Sequence, residues 1–101
     1  MNLTVVVVRD VEDRYRGFLS SVMLEISPGV FTSPRVSKRV REQIWTVLSE
    51  WHAQLRRGSI VMTWLDHQAP GGQGLLHLGE PPRKLADVDG LLIVKRTIVG
   101  G

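Results

Sequence analysis

The feature that most constrains the fold is a run of four consecutive valines, Val5–Val8, near the start of the chain. β-Branched side chains are stiff at χ1, and an uninterrupted apolar run is typical of a strand that is covered on both faces. Beyond this run the apolar residues change to helical spacing, in the series Val11, Tyr15, Leu19, Val22, Met23 and Ile26. The sequence therefore predicts a buried strand over residues 3–9, followed by a helix over residues 12–23.

Asp10 lies at this strand–helix junction, and the sequence leaves two roles open for it. Its carboxylate could cap free N–H groups at the start of the helix, where the helix dipole favours a negative charge. Alternatively, two copies of the carboxylate across a dimer could hold a divalent metal that activates water close to a phosphate. One carboxylate per subunit is a small ligand set, and the adjacent Arg9 would compete with a metal for it.

A second helix is predicted over residues 34–56, with Ser33 at the N-cap, Pro34 at the first helical position and Gly58 at its end. One face of this helix carries an apolar stripe made of Val36, Val40, Ile44, Val47, Leu48, Trp51 and Leu55. Trp45 lies off the stripe on an otherwise polar face. It is therefore either an anchor for a partner or a cover packed within the chain.

Further strands are predicted over residues 24–26, 30–32, 60–65, 75–78 and 91–96, with a Pro28-Gly29 turn between the first two and a turn over residues 87–90. The order β-α-β-β-α-β with extra C-terminal strands predicts an α+β fold, a ferredoxin-like sandwich. Strands one and four are apolar on both sides, so the sheet face without helices would expose a large apolar surface. We therefore expect a homodimer packed sheet against sheet, with the segment 91–101 engaging the second subunit or another partner.

The composition is that of one small domain, residues 1–101, with a formal net charge of +3 and no cysteine. Ten arginines against three lysines favour bidentate phosphate contacts, although a solvated basic surface is the simpler interpretation. The absence of cysteine, of a signal-peptide pattern and of any apolar stretch near the ~20 residues of a membrane span leads us to expect a cytoplasmic protein without membrane contacts.

The histidines and serines do not indicate an enzyme. His52 is predicted on the outer face of the second helix, His67 in a glycine-rich loop and His77 in a short strand. No pair of them has the spacing of a metal site, and no serine lies in a nucleophile-elbow context.

Motifs along nearly the whole chain resemble one known family. They are the opening valine run, Arg14-Tyr15-Arg16-Gly17, the segments 24–31, 36–37, 41–45 and 58–64, Arg83, and Asp87-Val88-Asp89-Gly90-Leu91. Together they are similar to the small CRISPR-associated adaptation subunit, the partner of the spacer integrase, in its type I-E branch. The combination is specific, whereas any single piece of it is not.

The resemblance implies a ferredoxin-like dimer that bridges two integrase dimers and carries the protospacer duplex on its basic surface. In this branch the integrase cuts and joins the DNA, and the small subunit is a structural adaptor that requires no cofactor. The arginines that match the backbone-contacting positions are Arg14, Arg16 and Arg83. The family often has adjacent arginines at the last of these positions. Here the pair reads Pro82-Arg83, so Lys84 would have to substitute as a point charge.

The resemblance also implies that the C-terminal region engages the integrase, through residues such as Leu91, Ile93 and Val94. Other branches of the family have been described as metal-dependent endonucleases acting on RNA or DNA, with an aspartate at the end of strand one. Asp10 matches that position and would require Mg²⁺. The fold alone would also allow a small-molecule-binding regulator, but no pocket-forming motif supports this third hypothesis.

Overall fold

The computed structural model describes residues 2–79, 85–88 and 91–94. The first part of the chain forms β1 (Asn2–Arg9), α1 (Asp13–Val22), β2 (Leu24–Ser27), β3 (Val30–Val36) and α2 (Lys38–Gln54). The second part forms β4 (Ser59–Leu65), a short 3₁₀ segment (Pro70–Gly72), β5 (Gln73–Leu78), β6 (Leu85–Val88) and β7 (Leu91–Val94).

Strands β1 to β5 form one sheet in the order β2-β3-β1-β4-β5, and every neighbouring pair is antiparallel. The two helices and the order of the first four strands are compatible with the ferredoxin-like arrangement, with β5 added beside β4. The predicted α+β class and the β-α-β-β-α-β order are confirmed. Strands β6 and β7 pair separately as a two-stranded antiparallel sheet.

The core lies between the two helices and one face of the sheet. Alternate residues of β1 and β4 point to this face because side chains along a strand alternate between its two sides. The buried apolar cluster consists of Val6, Val8, Tyr15, Leu19, Met23, Phe31, Ile44, Leu48, Ile60 and Met62. The valine run thus supplies only half of its side chains to the core.

The opposite face of the sheet is apolar and carries no helix from the described residues. The register of β1 with β3 and β4 places Val5 and Val7 on this side, next to Val30 and Val61. These four side chains are half-buried. Near the edges, Leu3 and Leu24 are 54% and 68% exposed. The predicted apolar second face is therefore present, whereas the dimer that would cover it stays a prediction.

The second helix begins later than the sequence predicts. Its N-cap is Ser37, whose side chain accepts a hydrogen bond from the Val40 N–H, so the predicted cap at Ser33 is wrong. Pro34 lies in β3 instead, beyond the end of the short strand β2 and beside an irregularity in the β1–β3 register. Proline is tolerated there because no regular ladder bond needs its missing N–H. Within the described part of the chain, no helix combines the length and apolar character that crossing a membrane requires.

Two further predictions are corrected at the ends of elements. α2 ends at Gln54 with Leu55 at the C-cap, so Gly58 does not terminate the helix but precedes β4. The predicted turn over residues 87–90 is partly a strand, because Leu85–Val88 pairs with Leu91–Val94. Strand β7, which was expected to pair across a dimer, thus already has a partner strand within its own chain.

Candidate functional site

Arg14 and Arg16 project from opposite sides of α1, as their helical positions predict. Arg14 points towards α2, where its Nη2 donates to Gln54 Oε1 at 3.4 Å. The same Nη2 also donates to Oε1 of Glu12, at the start of α1, at 3.3 Å. Its Cζ lies 4.7 Å from the centroid of the Trp51 ring, which is close enough for a cation–π contact. The guanidinium is therefore held against an aromatic surface rather than free in solvent.

The Trp51 ring is itself fixed by two aromatic neighbours on α1. It meets Tyr15 edge-on at 5.3 Å between centroids and Phe18 edge-on at 5.6 Å. Tyr15 is fully buried, and edge-to-face pairs of this kind contribute to packing beyond the area they bury. The Trp51 ring on which Arg14 stacks is thus packed directly against core residues.

Arg16 points the other way, towards β2, and is paired with Glu25. Its Nη2 and Nε donate to Glu25 Oε2 at 2.7 and 3.2 Å. The backbone N–H of Gly29, in the turn between β2 and β3, donates to the same carboxylate oxygen at 2.9 Å. The backbone N–H of Gly29 and then the Arg16 guanidinium lower the pKa of Glu25 below its ordinary value of 4.5.

This lowered pKa gives the free energy of unfolding a defined dependence on pH. A carboxyl group whose pKa is lower in the folded state stabilises the fold above its unfolded pKa and loses that contribution as the pH falls through the folded pKa. We expect Glu25→Gln to be less stable than the wild type in urea unfolding at pH 7, with the gap narrowing as the pH falls below 4.5. Glu50→Gln, at an exposed site without an ion pair among the described residues, is the control. A stability difference between wild type and Glu25→Gln that is as large at pH 3 as at pH 7 would contradict the lowered pKa of Glu25.

Asp10 lies at the end of β1, exposed and in the left-handed region with φ 57°. It does not cap α1: the N-cap residue is Glu12, and no side chain there makes a capping hydrogen bond, so the predicted capping role is wrong. The Asp10 carbonyl packs against Gly58 instead, where a Cβ would lie 2.6 Å from the Asp10 carbonyl oxygen, so the close approach requires glycine.

The structure brings Asp10 together with one further carboxylate. Asp10, Asp13 and Arg16 line a shallow cavity of about 200 Å³, beside the Pro28-Gly29 turn. Two carboxylates are suitable oxygen ligands for Mg²⁺. The guanidinium in the same cavity would compete with a cation, and the described residues contain no group of three or more potential metal-ligating side chains. The described residues of one protomer therefore offer an incomplete metal site.

Trp45 is half-buried and packs against the core cluster, so it covers that cluster within the chain. It also lines an open cavity of about 550 Å³ with Arg41 and Trp64. The Arg41 Cζ lies 4.2 Å from the Trp64 ring centroid, which makes a second arginine–tryptophan pair that the sequence did not predict. No local spacing could indicate this pair because its members lie on α2 and β4.

The two arginine–tryptophan pairs belong to different ends of the sheet. Arg14, which stacks on Trp51, lies near the end of β1 together with Arg16. Arg41 stacks on Trp64, which pairs with Thr4 near the start of β1. The ladder positions Arg9 and Thr4 are separated by roughly 17 Å along the strand. Arg83 and Lys84 lie outside the described residues, as do the side chains of Leu91, Ile93 and Val94.

His52 is buried rather than on the outer face of α2, which corrects the prediction. It is 8% exposed and follows Ile44 and Leu48 at intervals of four on the buried face. Its Nε2 lies 3.2 Å from the Gly58 carbonyl oxygen, which gives the ring a hydrogen-bond partner at the edge of the core. A polar ring is tolerated in this position because that partner is present.

Together, the fold and the site define a small α+β protein with one helical layer, whose first helix carries two arginines held by neighbouring side chains. The chain matches, over residues 3–93, the family described as CRISPR-associated protein (Cas_Cas2CT1978). It therefore belongs to this family of CRISPR-associated, Cas2-like proteins. The matched range includes all of the described structure except its two terminal residues, 2 and 94.

Proposed function

We propose that the protein is a non-catalytic structural adaptor in CRISPR spacer acquisition, in the manner of the type I-E branch. As a homodimer it bridges two dimers of the spacer integrase and binds the protospacer duplex through its phosphate backbone. The observation that carries this proposal is the state of Arg14 and Arg16. Their side chains are 40% and 46% exposed, and each is held in place by contacts to neighbouring elements.

Such arginines are suited to backbone contacts. A guanidinium has five N–H donors in a fixed plane, so it can keep one partner and still bind a phosphate with its remaining donors. The pair between Arg14 and Glu12 is an exposed one, and such pairs contribute only ~0–1 kcal/mol, so a phosphate can replace the carboxylate. Arg83 and Lys84 would extend the contact along the duplex, as the resemblance implies.

The dimer proposal is supported by the apolar sheet face opposite the helices. Val5, Val7, Val30 and Val61 lie together on it and are only half-buried within one chain. A second copy packed against this face would remove it from water, and burial is favourable by roughly 25 cal/mol per Å² of apolar surface. The segment that includes Leu91, Ile93 and Val94 would then be available to the integrase.

A second candidate, a Mg²⁺-dependent endonuclease, is favoured by one specific observation. Asp10 is exposed with φ 57°, and it shares its cavity with Asp13. Non-glycine residues with positive φ are uncommon and cluster at functional sites. In a dimer the two Asp10 carboxylates could complete a metal site to which the described residues of one protomer contribute only part of the ligands.

Replacing Asp10 by asparagine distinguishes the two functions. Asparagine keeps the size of the side chain and tolerates the left-handed conformation, so the fold should be retained. For the adaptor, we expect Asp10→Asn to bind duplex within about twofold of the wild type and to support integration by the complex. Complete loss of a Mg²⁺-dependent cleavage that the wild type performs would instead establish the endonuclease.

A further inference from the structure

We propose that Glu25 is a positioning residue for Arg16. Its carboxylate is fixed by the Gly29 backbone N–H and holds the guanidinium so that its remaining donors stay available to a phosphate. This inference rests on the proposed function, because it concerns the duplex contact of Arg16.

The geometry of the pair leaves most of the guanidinium free. Both contacts of Arg16, from Nε at 3.2 Å and from Nη2 at 2.7 Å, go to the single oxygen Oε2 of Glu25. Of the five N–H groups, the two on Nη1 and one on Nη2 remain. These three donors lie along the edges of the planar guanidinium that do not face the carboxylate, and the side chain is 46% exposed, so a phosphate oxygen can accept from them. Glu25 and a phosphate can therefore bind the same guanidinium at once.

The carboxylate is fixed to the sheet rather than to α1. The Gly29 N–H donates to Glu25 Oε2 at 2.9 Å, and the Gly29 carbonyl accepts from the Val8 N–H at 2.8 Å. Gly29 has φ 77°, and a Cβ at this position would lie 2.5 Å from the Val8 carbonyl oxygen, so no other residue fits without movement. The turn is thus held closely on β1, and Arg16 takes its orientation from that turn.

A long side chain loses rotamer freedom when it binds a ligand, and this loss of entropy weakens binding. Orienting the side chain in advance therefore raises the affinity. For Arg16 part of this entropy is already lost in the unbound protein, so less is lost when the duplex arrives. Glu25 also carries a negative charge, which opposes DNA binding by itself. The two effects on affinity have opposite signs. They can be separated by comparing a variant that removes only the charge of Glu25 with a variant that removes both the charge and the contact to Arg16.

The test compares Glu25→Gln with Glu25→Ala in the complex with the integrase, by duplex binding at fixed salt. Both substitutions change the net charge equally, but the glutamine oxygen can still accept from the Gly29 N–H or from Arg16. We expect Glu25→Ala to bind about tenfold more weakly than Glu25→Gln, which corresponds to the loss of one side chain's orientation. Urea unfolding of both variants checks that the turn is still folded.

The same pair of variants in an Arg16→Ala background completes the experiment. There the difference between glutamine and alanine should disappear, because the residue that Glu25 positions is absent. Equal affinities of the two variants with Arg16 present, or a difference that persists without Arg16, would overturn the positioning role of Glu25 but leave the proposed function intact. If Arg16→Ala itself leaves duplex affinity unchanged, the proposed contact of Arg16 with DNA is wrong, and the inference fails with it.

Discussion

Replacing Arg14 and Arg16 together by alanine should lower the duplex affinity of the integrase complex by at least 100-fold. Each arginine offers charged hydrogen bonds that contribute roughly 1.5–3 kcal/mol, and the proposed phosphate contacts of the two side chains would be independent. The slope of log affinity against log salt should also fall by about 0.9 for each phosphate contact that is lost. Fluorescence anisotropy with a labelled duplex across a salt series measures both quantities.

Arg35→Ala combined with Arg39→Ala is the matched control for this experiment. Both residues are exposed, both substitutions remove the same charge, and both sites lie near the start of α2, at the other end of the sheet. If duplex binding depended only on net charge, the two double variants would be equally weak. A larger loss in the control would mean that the duplex lies near the start of α2 instead, which contradicts the proposed site.

Replacing Gly58 by alanine should cause a large loss of stability. Gly58 has φ 79°, and a Cβ there would meet the Arg9 carbonyl oxygen and lie 2.6 Å from the Asp10 carbonyl oxygen. These are backbone atoms, so no side-chain rotation relieves the clash. Left-handed strain of ~1–2 kcal/mol and overpacking of ~1–3 kcal/mol together predict a loss of about 2–5 kcal/mol in urea unfolding.

Gly72→Ala separates the two parts of this loss. Gly72 also has a positive φ, of 72°, but an added Cβ would meet nothing within 4 Å, so only the conformational strain remains. We expect it to lose about 1–2 kcal/mol. Equal losses at the two glycines would show that the contact between Gly58 and the end of β1 does not constrain the fold.

Much of the fold could be predicted because its signals are local. The valine run, the Pro28-Gly29 turn and the apolar stripe of α2 each determine one element, and their order determines the class of fold. The wrong predictions occur where contacts with a segment distant in sequence determine where an element begins or ends. Ser33 would be a good N-cap, but β3 continues past it along β1, and Ser37 becomes the cap.

The candidate site was predictable in its residues but not in its contacts. The helical positions of Arg14 and Arg16 predict that they flank the buried face of α1. Their partners lie on other elements: Trp51 on α2, and Glu25 on β2. Sequence spacing carries no information about such pairs, because they depend on how the elements pack. His52 is different, because its position four residues after Leu48 places it on the buried face of α2 and could have indicated its burial.

The most direct test of the adaptor function is duplex binding by the purified protein, with and without its integrase, across a salt series with Mg²⁺ present. The adaptor function predicts strong binding only with the integrase, a steep fall with salt and an intact duplex at the end. Tight binding by the protein alone, with a Mg²⁺-dependent loss of the duplex that Asp10→Asn abolishes, would contradict it and establish the endonuclease.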